Sequence, residues 1–327
     1  MAGVAFETLR QAAEILRPVV VETPILESPV LNELCGARVL LKAESLQRTG
    51  SFKFRGAYYR IARLDAEERA RGVVAFSSGN FAQGLAAAGA LAGVKVTIVM
   101  PEDAPRAKME ATRRYGADVV LSRHGTRNRE EAANELAAGL AQERGMTKLH
   151  PFDDPLIVAG QASVGLEFMR QAAQIGVAFD AVMSPVGGGG LVAGVALAVR
   201  QMSPKTRVYG VEPEGYDDMA RSLATGARQR VEGQPRSVCD ALQAAMPGVV
   251  TFDVAREFVS GGLSVSDDEV LVAMDRAFHH LKLVLEPSGA VALAAALAHK
   301  LAPAPATLGV ILSGGNIAIE DFRRLTA

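Results

Sequence analysis

The segment Ala181–Arg200, AVMSPVGGGGLVAGVALAVR, joins an apolar strand to an apolar helix through four consecutive glycines. Glycine lets the backbone approach a ligand closely, and the start of a helix offers free N–H groups and a positive dipole end. A plain turn rarely needs four glycines. The segment therefore predicts a strand, a phosphate-binding loop and a helix. The predicted phosphate ligands are Gly187, Gly188, Gly189, Gly190 and Leu191.

The same alternation of short apolar runs with Ala- and Leu-rich helical patterns continues on both sides of this loop. Buried strands separated by helices of about 10–15 residues indicate βαβ units and a mostly parallel sheet, so the fold class is α/β. The predicted strands are 38–42, 73–76, 96–100, 118–121, 181–183, 208–211 and 308–312, and clear helices are 130–143, 156–173 and 191–202. Ser266 and Glu269 have the spacing of a helix capping box.

Length and composition limit the kind of protein. The chain has 327 residues, which suits two domains of roughly 100–200 residues each. Lys and Arg number 35 against 36 Asp and Glu, so the charge gives no reason to expect a nucleic-acid or membrane partner. Cys35 and Cys239 are too few for a disulfide framework. With no signal peptide and no apolar stretch near the ~20 residues of a membrane span, we expect a cytoplasmic protein.

Lys53 is the candidate nucleophile. It lies between Phe52 and Phe54, near the expected start of a helix and close to Arg55. An amine that is desolvated by aromatic rings and lies beside another cation has a lowered pKa, as a lysine that forms a Schiff base requires.

Two polar segments follow other predicted strands. Ser77, Ser78, Gly79 and Asn80 follow strand 73–76 and precede a helix, where hydroxyl, amide and N–H groups can bind a carboxylate. Residues 313–316 (SGGN) follow strand 308–312. Ligands of open α/β sheets bind beyond the C-terminal ends of the strands. We therefore expect these segments and the glycine loop to meet in one crevice.

The glycine loop alone leaves other functions open. Gly188, Gly190 and Ala193 also fit the weak dinucleotide pattern G-x-G-x-x-G/A, and Glu212 follows where a ribose-binding acid would lie. A nicotinamide-dependent oxidoreductase is therefore one alternative, in which Lys53 has no role. A non-catalytic protein that binds a phosphorylated ligand is another.

Taken together, these residues resemble the threonine dehydratase and serine racemase family of fold-type II pyridoxal-phosphate (PLP) enzymes. The resemblance covers essentially the whole chain and is specific for the cofactor rather than the substrate. The matching stretches are 51–56 (SFKFRG), 77–83, 150–155 (HPFDDP), 187–190, 286–290 (EPSGA) and 313–316. It implies two open, mostly parallel sheets flanked by helices, with a small domain (52–147) inserted in a large cofactor-binding one (1–51 and 148–327).

The resemblance also implies roles for single residues. Lys53 would carry PLP as a Schiff base and later move the Cα proton. The glycine loop would hold the phosphate, Asn80 the 3-hydroxyl and Ser313 the pyridine nitrogen. The other implied residues are Phe52, Glu286 and Gly314 for the cofactor, and Ser77, Ser78, Gly79, Asn80 and Phe81 for the substrate. The implied reaction converts threonine, serine or another 3-hydroxy amino acid to a 2-keto acid and ammonia.

Further features concern catalytic outcome, metal and substrate. In the racemases of this family, a serine at the position of Ser78 protonates the opposite face of Cα, so a serine-type racemase is an alternative.

Glu212, Asp218 and the carbonyl of Tyr216 resemble a site for Mg²⁺, Ca²⁺ or Mn²⁺, although both acids also suit solvated loops. Phe81 replaces the usual histidine, which suggests a bulkier substrate such as phenylserine. Ala241 departs from the usual Asp-Gly pair beside the cofactor ring.

The resemblance and the length of the chain also suggest its assembly and role. Members of this family are usually homodimers, which we expect here. The chain ends soon after Asn316, so we expect no C-terminal regulatory domain and a degradative role.

Overall fold

The fold is built around two separate β-sheets. A computed structural model describes residues 5–233 and 235–327. The strands are β1 (Ile25–Leu26), β2 (Arg38–Ala43), β3 (Val73–Phe76), β4 (Val96–Pro101), β5 (Asp118–Ser122), β6 (Thr147–Leu149), β7 (Ala181–Pro185), β8 (Arg207–Pro213), β9 (Gly261–Val265) and β10 (Thr307–Leu312). The larger sheet has the order β1-β2-β10-β7-β8-β9 and the smaller one β5-β4-β3-β6. All pairs are parallel except β1 with β2. The predicted α/β class with mostly parallel sheets is confirmed.

Helices cover the sheets. They are α1 (Phe6–Leu16), α2 (Pro29–Cys35), α3 (Lys53–Ala62), α4 (Ala66–Arg71), α5 (Asn80–Ala92), α6 (Arg106–Arg114), α7 (Arg129–Arg144), α8 (Pro155–Gln174), α9 (Gly190–Met202), α10 (Asp218–Thr225), α11 (Val249–Phe258), α12 (Asp267–Leu281), α13 (Pro287–Leu297) and α14 (Ile319–Leu325). Short 3₁₀ turns occupy Glu44–Leu46, Arg48–Gly50 and Asp240–Leu242.

The central strands are buried on both faces, which explains their continuous apolar sequence. All residues of β3, β4 and β7 are buried, as expected for parallel strands between two layers of helices. All seven predicted strands are present. The short strands β1, β6 and β9 escaped prediction because two of them have only two or three residues and β9 contains two glycines.

Helix starts follow the capping chemistry of the sequence. The capping box of Ser266 and Glu269 opens α12, as predicted. The carboxylate of Asp154 caps α8, with Pro155 in the first turn. The side chain of Asn128 accepts the N–H groups of Glu130 and Glu131 and so opens α7. These caps fix where α7 and α8 begin, beside the C-terminal edges of the sheets.

A close contact between α3 and α8 positions the helix that begins with Lys53. A Cβ added to Gly160 would lie only 2.6 Å from the Cα of Gly56. The side-chain oxygen of Gln161 also accepts the N–H of Gly56 at 3.2 Å. Glycine at these positions lets the two backbones touch, so α3 is fixed against α8.

The strands of the smaller sheet come from one continuous segment of the chain, and the strands of the larger sheet come from the segments before and after it, as expected. Strands β3–β6 form the smaller sheet, whereas β1, β2 and β7–β10 form the larger one. Strand β6 (Thr147–Leu149) crosses the expected boundary at residue 148. The division into two domains with the limits given above stays a prediction. Among the described residues, no helix is both long and apolar enough to cross a membrane.

Candidate active site

The C-terminal ends of β3, β7 and β10 open on one cleft of about 1040 Å³, its mouth included. The expected convergence of the polar segments is therefore present. The predicted residues that line the cleft are Phe52, Lys53, Ser77, Ser78, Gly79, Asn80, Phe81, Gly187, Gly188, Gly189, Gly190, Leu191 and Ser313. A cleft at the carboxyl ends of parallel strands is a typical ligand site.

Lys53 points its amine into this cleft. The Nζ atom donates a hydrogen bond to the carbonyl of Pro151 at 3.2 Å. It lies 5.2 Å from the ring centroid of Phe52 and 5.9 Å from that of Phe81. Burial lowers the pKa of Lys53 to about 8, and the charge of Glu130 opposes part of this effect. The amine is therefore close to the neutral form that attacks a carbonyl.

Two details of the predicted lysine environment are wrong. Phe54 does not cover the amine: it is fully buried in the core of the smaller sheet and stacks near Tyr58, because successive helical residues point in different directions. Phe81 takes its place. Arg55 is not a cause of the low pKa of Lys53 either. Its guanidinium is neutralised by Glu44 at 2.7 Å and Glu167 at 3.0 Å.

The glycine loop is shaped as a cradle at the start of α9. Gly189 has φ +95°, a conformation that favours glycine, and it caps the helix. A side chain on Gly188 would overlap the ring of Phe152. The carbonyl of Gly188 accepts the hydroxyl of Thr251 at 2.6 Å, which fixes the loop from outside. The first N–H groups of α9 have no partner within the helix and can bind a phosphate.

The Ser77–Asn80 segment enters α5. The hydroxyl oxygen of Ser77 accepts the N–H groups of Gly79, the N-cap of α5, at 3.2 Å and of Ala82 at 3.1 Å, so this side chain pairs one of the free N–H groups in the first turn. Ser78 is half-buried and lines the cleft. The sequence left two alternatives for this segment, pairing of N–H groups at a helix start and ligand binding. In the structure the segment does the first and also lines the cleft.

Behind the cleft wall, hydrogen bonds fix the amide of Asn80. Its Nδ2 donates to Glu286 at 2.5 Å, and its Oδ1 accepts from Asn316 at 2.8 Å. Glu286 and Gly314 are not among the residues that line the cleft, although both were predicted to touch the cofactor. A side chain on Gly314 would overlap Glu286, so both form the layer behind. The hydroxyl of Ser313 donates to the carbonyl of Ser288 at 3.4 Å.

Sequence reasoning missed two charged residues of the cleft, Arg129 and Glu130. Both lie in the first turn of α7, and the guanidinium of Arg129 lies 3.3 Å from Asp103. Burial raises the pKa of Glu130 to about 7, and the charge of Lys53 opposes this effect. The one available signal was the cap at Asn128, which places the start of a helix beside the site.

The three residues of the expected cation site lie together in and after β8, outside the cleft. The carboxylate of Glu212 accepts the N–H groups of Met219 at 2.9 Å and Ala220 at 2.8 Å. Asp218 is buried, and its Oδ2 has no hydrogen-bond partner. Burial raises the pKa of Asp218 to about 7 and that of Glu212 well above its usual value. Within the described ranges, no group of three or more His, Cys, Asp or Glu side chains has metal-binding geometry.

A protein with an amine of low pKa, a glycine cradle and a polar rim in one cleft fits a PLP-dependent enzyme. Comparison with known families shows that this chain belongs to the pyridoxal-phosphate dependent enzyme family, which it matches over residues 16–314. It is 40% identical to the L-threonine ammonia-lyase of Thermotoga maritima over 98% of this chain and 78% of that protein. It is 41% identical to the L-threo-3-hydroxyaspartate ammonia-lyase of a Pseudomonas species over 98% of both chains.

Solved structures agree with this assignment. The T.th. threonine deaminase has a TM-score of 0.90 at 46% identity, over 96% of this chain and 99% of that one. Maize serine racemase has a TM-score of 0.92 at 33% identity, over 99% and 97%. The fold is therefore that of the fold-type II PLP enzymes. The dinucleotide alternative is set aside, because both carboxylate oxygens of Glu212 bind the start of α10 rather than face the glycine loop.

Proposed function

We propose that this protein removes the hydroxyl and amino groups of a 3-hydroxy amino acid, and that Lys53 carries its PLP. The observation that carries the proposal is the amine of Lys53, with a pKa of about 8, in the same cleft as the glycine cradle. The relatives named as ammonia-lyases of hydroxy amino acids support the same class of reaction. An amine, a cradle that a Cβ would fill and a wide cleft together fit PLP.

Different residues of the cleft would bind different parts of PLP and of the substrate. PLP, when bound, supplies the electron sink that makes the Cα proton of an amino acid acidic. The N–H groups of residues 187–191 would hold its phosphate, and Asn80 and Ser313 would bind its ring. The N–H groups at the start of α5, with Ser77 and Ser78, would hold the substrate carboxylate.

Lys53 would move the proton. Its neutral amine would accept the proton from Cα and, as the ammonium, would return a proton to the Cβ hydroxyl, which would leave as water. The resulting enamine is hydrolysed to a 2-keto acid and ammonia. Phe52 and Phe81 exclude water from the amine, which favours its neutral form.

Arg129 supports a substrate with an acidic side chain, namely 3-hydroxyaspartate. Its guanidinium places a positive charge in the cleft wall. The groups that all 3-hydroxy amino acids share do not require this charge, whereas a carboxylate side chain would bind to it. Among the relatives, the Pseudomonas enzyme is named for L-threo-3-hydroxyaspartate. The apolar ring of Phe81 favours threonine, serine or a phenylserine-like substrate instead, and these form the second proposal.

The experiment compares keto-acid release from L-threo-3-hydroxyaspartate, L-threonine, L-serine and phenylserine. Arg129→Gln should lower kcat/KM for hydroxyaspartate by about 10–100-fold, since a hydrogen bond to a charged group contributes roughly 1.5–3 kcal/mol. It should change kcat/KM for threonine by less than about threefold. Equal losses for both substrates would exclude the acidic side-chain site. Release of no keto acid from any of the four would contradict the dehydratase itself.

Ser78 supports a racemase as the alternative outcome at the same site. It lies half-buried in the cleft wall, and serine racemase is among the similar structures. Chiral chromatography of serine incubated with the enzyme separates the two outcomes. Racemisation should produce D-serine that disappears in Ser78→Ala, whereas a pure dehydratase releases only pyruvate.

For a divalent cation, the support is the unpartnered oxygen of Asp218. Together with Glu212 and the carbonyl of Tyr216, it offers the oxygen ligands that Mg²⁺, Ca²⁺ and Mn²⁺ prefer. If the cation binds there, each salt should raise the melting temperature of the protein, and Asp218→Asn should abolish the rise. An equal rise in both proteins would refute the site.

We further propose a cytoplasmic homodimer with the two domains given above. Both cysteines are free and buried, as in a reducing compartment. Exposed Phe278 and Ile319 border a surface groove that a second copy would cover. Sedimentation equilibrium measures the assembly, and a monomer of 34.4 kDa at high protein concentration would contradict it.

A further inference from the structure

Lys108 is a buried cation outside the cleft lining. It lies in α6, beside the smaller sheet, and its side chain is only 9% exposed. Its Nζ lies 2.8 Å from Asp240 Oδ2 and 3.3 Å from Glu286 Oε2. Asp240 begins the 3₁₀ turn Asp240–Leu242, and Glu286 directly precedes α13. A Cβ on Gly79 would lie 2.5 Å from the Cδ of Lys108, so the lysine passes directly behind the substrate segment.

The contact continues from Glu286 to the cleft. The other oxygen of Glu286 accepts Nδ2 of Asn80 at 2.5 Å. The amide oxygen of Asn80 accepts Asn316, whose Nδ2 also donates to the carbonyl of Thr49 at 2.7 Å. Lys108 therefore lies at one end of a hydrogen-bonded chain whose middle member, Asn80, lines the cleft.

The two carboxylates differ in their need for this cation. The side chain of Asp240 is 32% exposed, so water can solvate it if Lys108 is lost. That of Glu286 is only 2% exposed, and burial together with the charge of Asp240 raises its pKa, while Lys108 and the amide of Asn80 lower it. A buried carboxylate that loses its partner protonates or moves. Protonation would replace the charge-assisted hydrogen bond of Asn80 by a weaker neutral one, and movement of Glu286 would release the amide.

We propose that Lys108 is a positioning residue: it keeps Glu286 as a carboxylate and thereby fixes the amide of Asn80 in the cleft. The ion pairs also join α6 to Asp240, which lines the cleft, and to Glu286, which does not. The effect of Lys108 on turnover rests on the proposed function. Its effect on the binding of PLP does not depend on which substrate is used.

Four variants separate this role from a merely structural one. They are Lys108→Met, Glu286→Gln, the double variant, and Lys205→Met as a control for loss of an exposed lysine. The amide introduced by Glu286→Gln still offers an oxygen to Asn80 but needs no cation. The measurements are the Kd of each apo-protein for PLP, the visible absorbance of the bound cofactor, and kcat and KM separately.

Lys108→Met should raise the Kd for PLP and lower kcat, each by about tenfold or more, because the amide of Asn80 loses its bond to a charged carboxylate and with it its fixed position. The double variant should lie within about threefold of Glu286→Gln in PLP binding, since Lys108 would have no further effect on the amide of Asn80 once Glu286 is neutral. Lys205→Met should match the parent. If Lys108→Met does not fold, the comparison of Glu286→Gln with the double variant decides alone.

Two results would overturn the proposal. One is a double variant more than about tenfold weaker in PLP binding than Glu286→Gln, because Lys108 would then act independently of Glu286. The other is a Lys108→Met protein that melts at a lower temperature but keeps the parent's Kd, spectrum and kcat. In that case the lysine only stabilises the fold.

Discussion

The amine of Lys53 donates a hydrogen bond to the backbone carbonyl of Pro151, with 3.2 Å between Nζ and the oxygen. The contact joins the first residue of α3 to the loop between β6 and α8. It holds the amine inside the cleft, where burial lowers its pKa to about 8 and the carboxylate of Glu130 raises it. The position and the pKa of the Lys53 amine thus depend on residues far from it in the chain.

The first prediction concerns the pH dependence of PLP capture. A protonated amine cannot attack a carbonyl, so the apo-protein should take up PLP faster as the pH rises through about 8, rather than near 10.5. Glu130→Gln removes the charge that favours the ammonium, and the midpoint should move to a lower pH. The growth of the visible absorbance band in stopped-flow experiments measures this rate.

Glu131→Gln is the matched control, because it removes the same charge from an exposed neighbour that binds Arg230 instead. Its midpoint should stay that of the parent. A parent midpoint near pH 10 would show that burial does not tune Lys53. An identical midpoint in Glu130→Gln would show that this carboxylate does not act on the amine.

The second prediction concerns the glycine cradle. Gly188→Ala places a methyl group against the ring of Phe152, so the loop must move, and the affinity for PLP should fall by at least about tenfold. Gly139→Ala is the control, since a Cβ there meets nothing within 4 Å on the exposed face of α7. It should keep the parent's affinity and stabilise the protein by about 0.5–1 kcal/mol. Equal Kd values for PLP in both variants would contradict the cradle.

The third prediction concerns the buried ion pairs of Arg55. Arg55→Met leaves the carboxylates of Glu44 and Glu167 without their shared partner, which should lower the free energy of unfolding by about 3–5 kcal/mol. Arg170→Met breaks an exposed pair with Glu22 and should cost less than about 1 kcal/mol. Urea denaturation followed by circular dichroism compares the two. Similar shifts in both variants would mean that the buried network contributes no more than a surface pair.

The fourth prediction concerns stability in acid. Burial lowers the pKa of His150 to about 4, and its Nδ1 accepts the N–H groups of Phe152 and Asp153. Between pH 4 and 6.5 the unfolded chain therefore binds more protons at this residue than the folded one. Stability should fall as the pH drops through this range, by at most about 3 kcal/mol from His150.

His150→Asn keeps an acceptor near the position of Nδ1 but cannot titrate. Its free energy of unfolding should therefore depend less steeply on pH between 4 and 6.5 than that of the parent, while other groups contribute equally to both. Denaturation at a series of pH values provides the comparison. Parallel curves would show that His150 is protonated to the same extent in the folded and unfolded chains.

The elements at the cleft were predictable because their signals are local. Strand 181–183, the four glycines and the helix after them follow one another directly in the sequence, and so do strand 73–76 and Ser77–Asn80. Since parallel strands share one C-terminal edge, the meeting of these loops followed from the fold class. Lys53 was found in the same way, from its aromatic neighbour Phe52 and the start of a helix.

Arg129, Glu130 and Lys108 escaped prediction because nothing near them in the sequence marks them as part of a site. They come from α6 and α7, whose sequences are those of ordinary charged helices. Only the tertiary packing places Arg129 and Glu130 in the cleft wall and buries Lys108 beside Asp240 and Glu286. Arg55 shows the opposite error: it is close to Lys53 in the sequence, yet its charge is neutralised by Glu44 and Glu167.

The sequence by itself determined the order of the seven longer predicted strands and the places of the glycine loop and of Lys53 beside elements of the fold. Hydrophobic periodicity, glycine and capping residues act over a few neighbouring positions, so they can be read along the chain. The tertiary structure decided which charges face each other, and hence the pKa of Lys53 and the hydrogen bonds that Asn80 makes with Glu286 and Asn316. Asn80 and Glu286 are 206 positions apart, and both burial and Coulomb interactions depend on distance in space rather than along the chain.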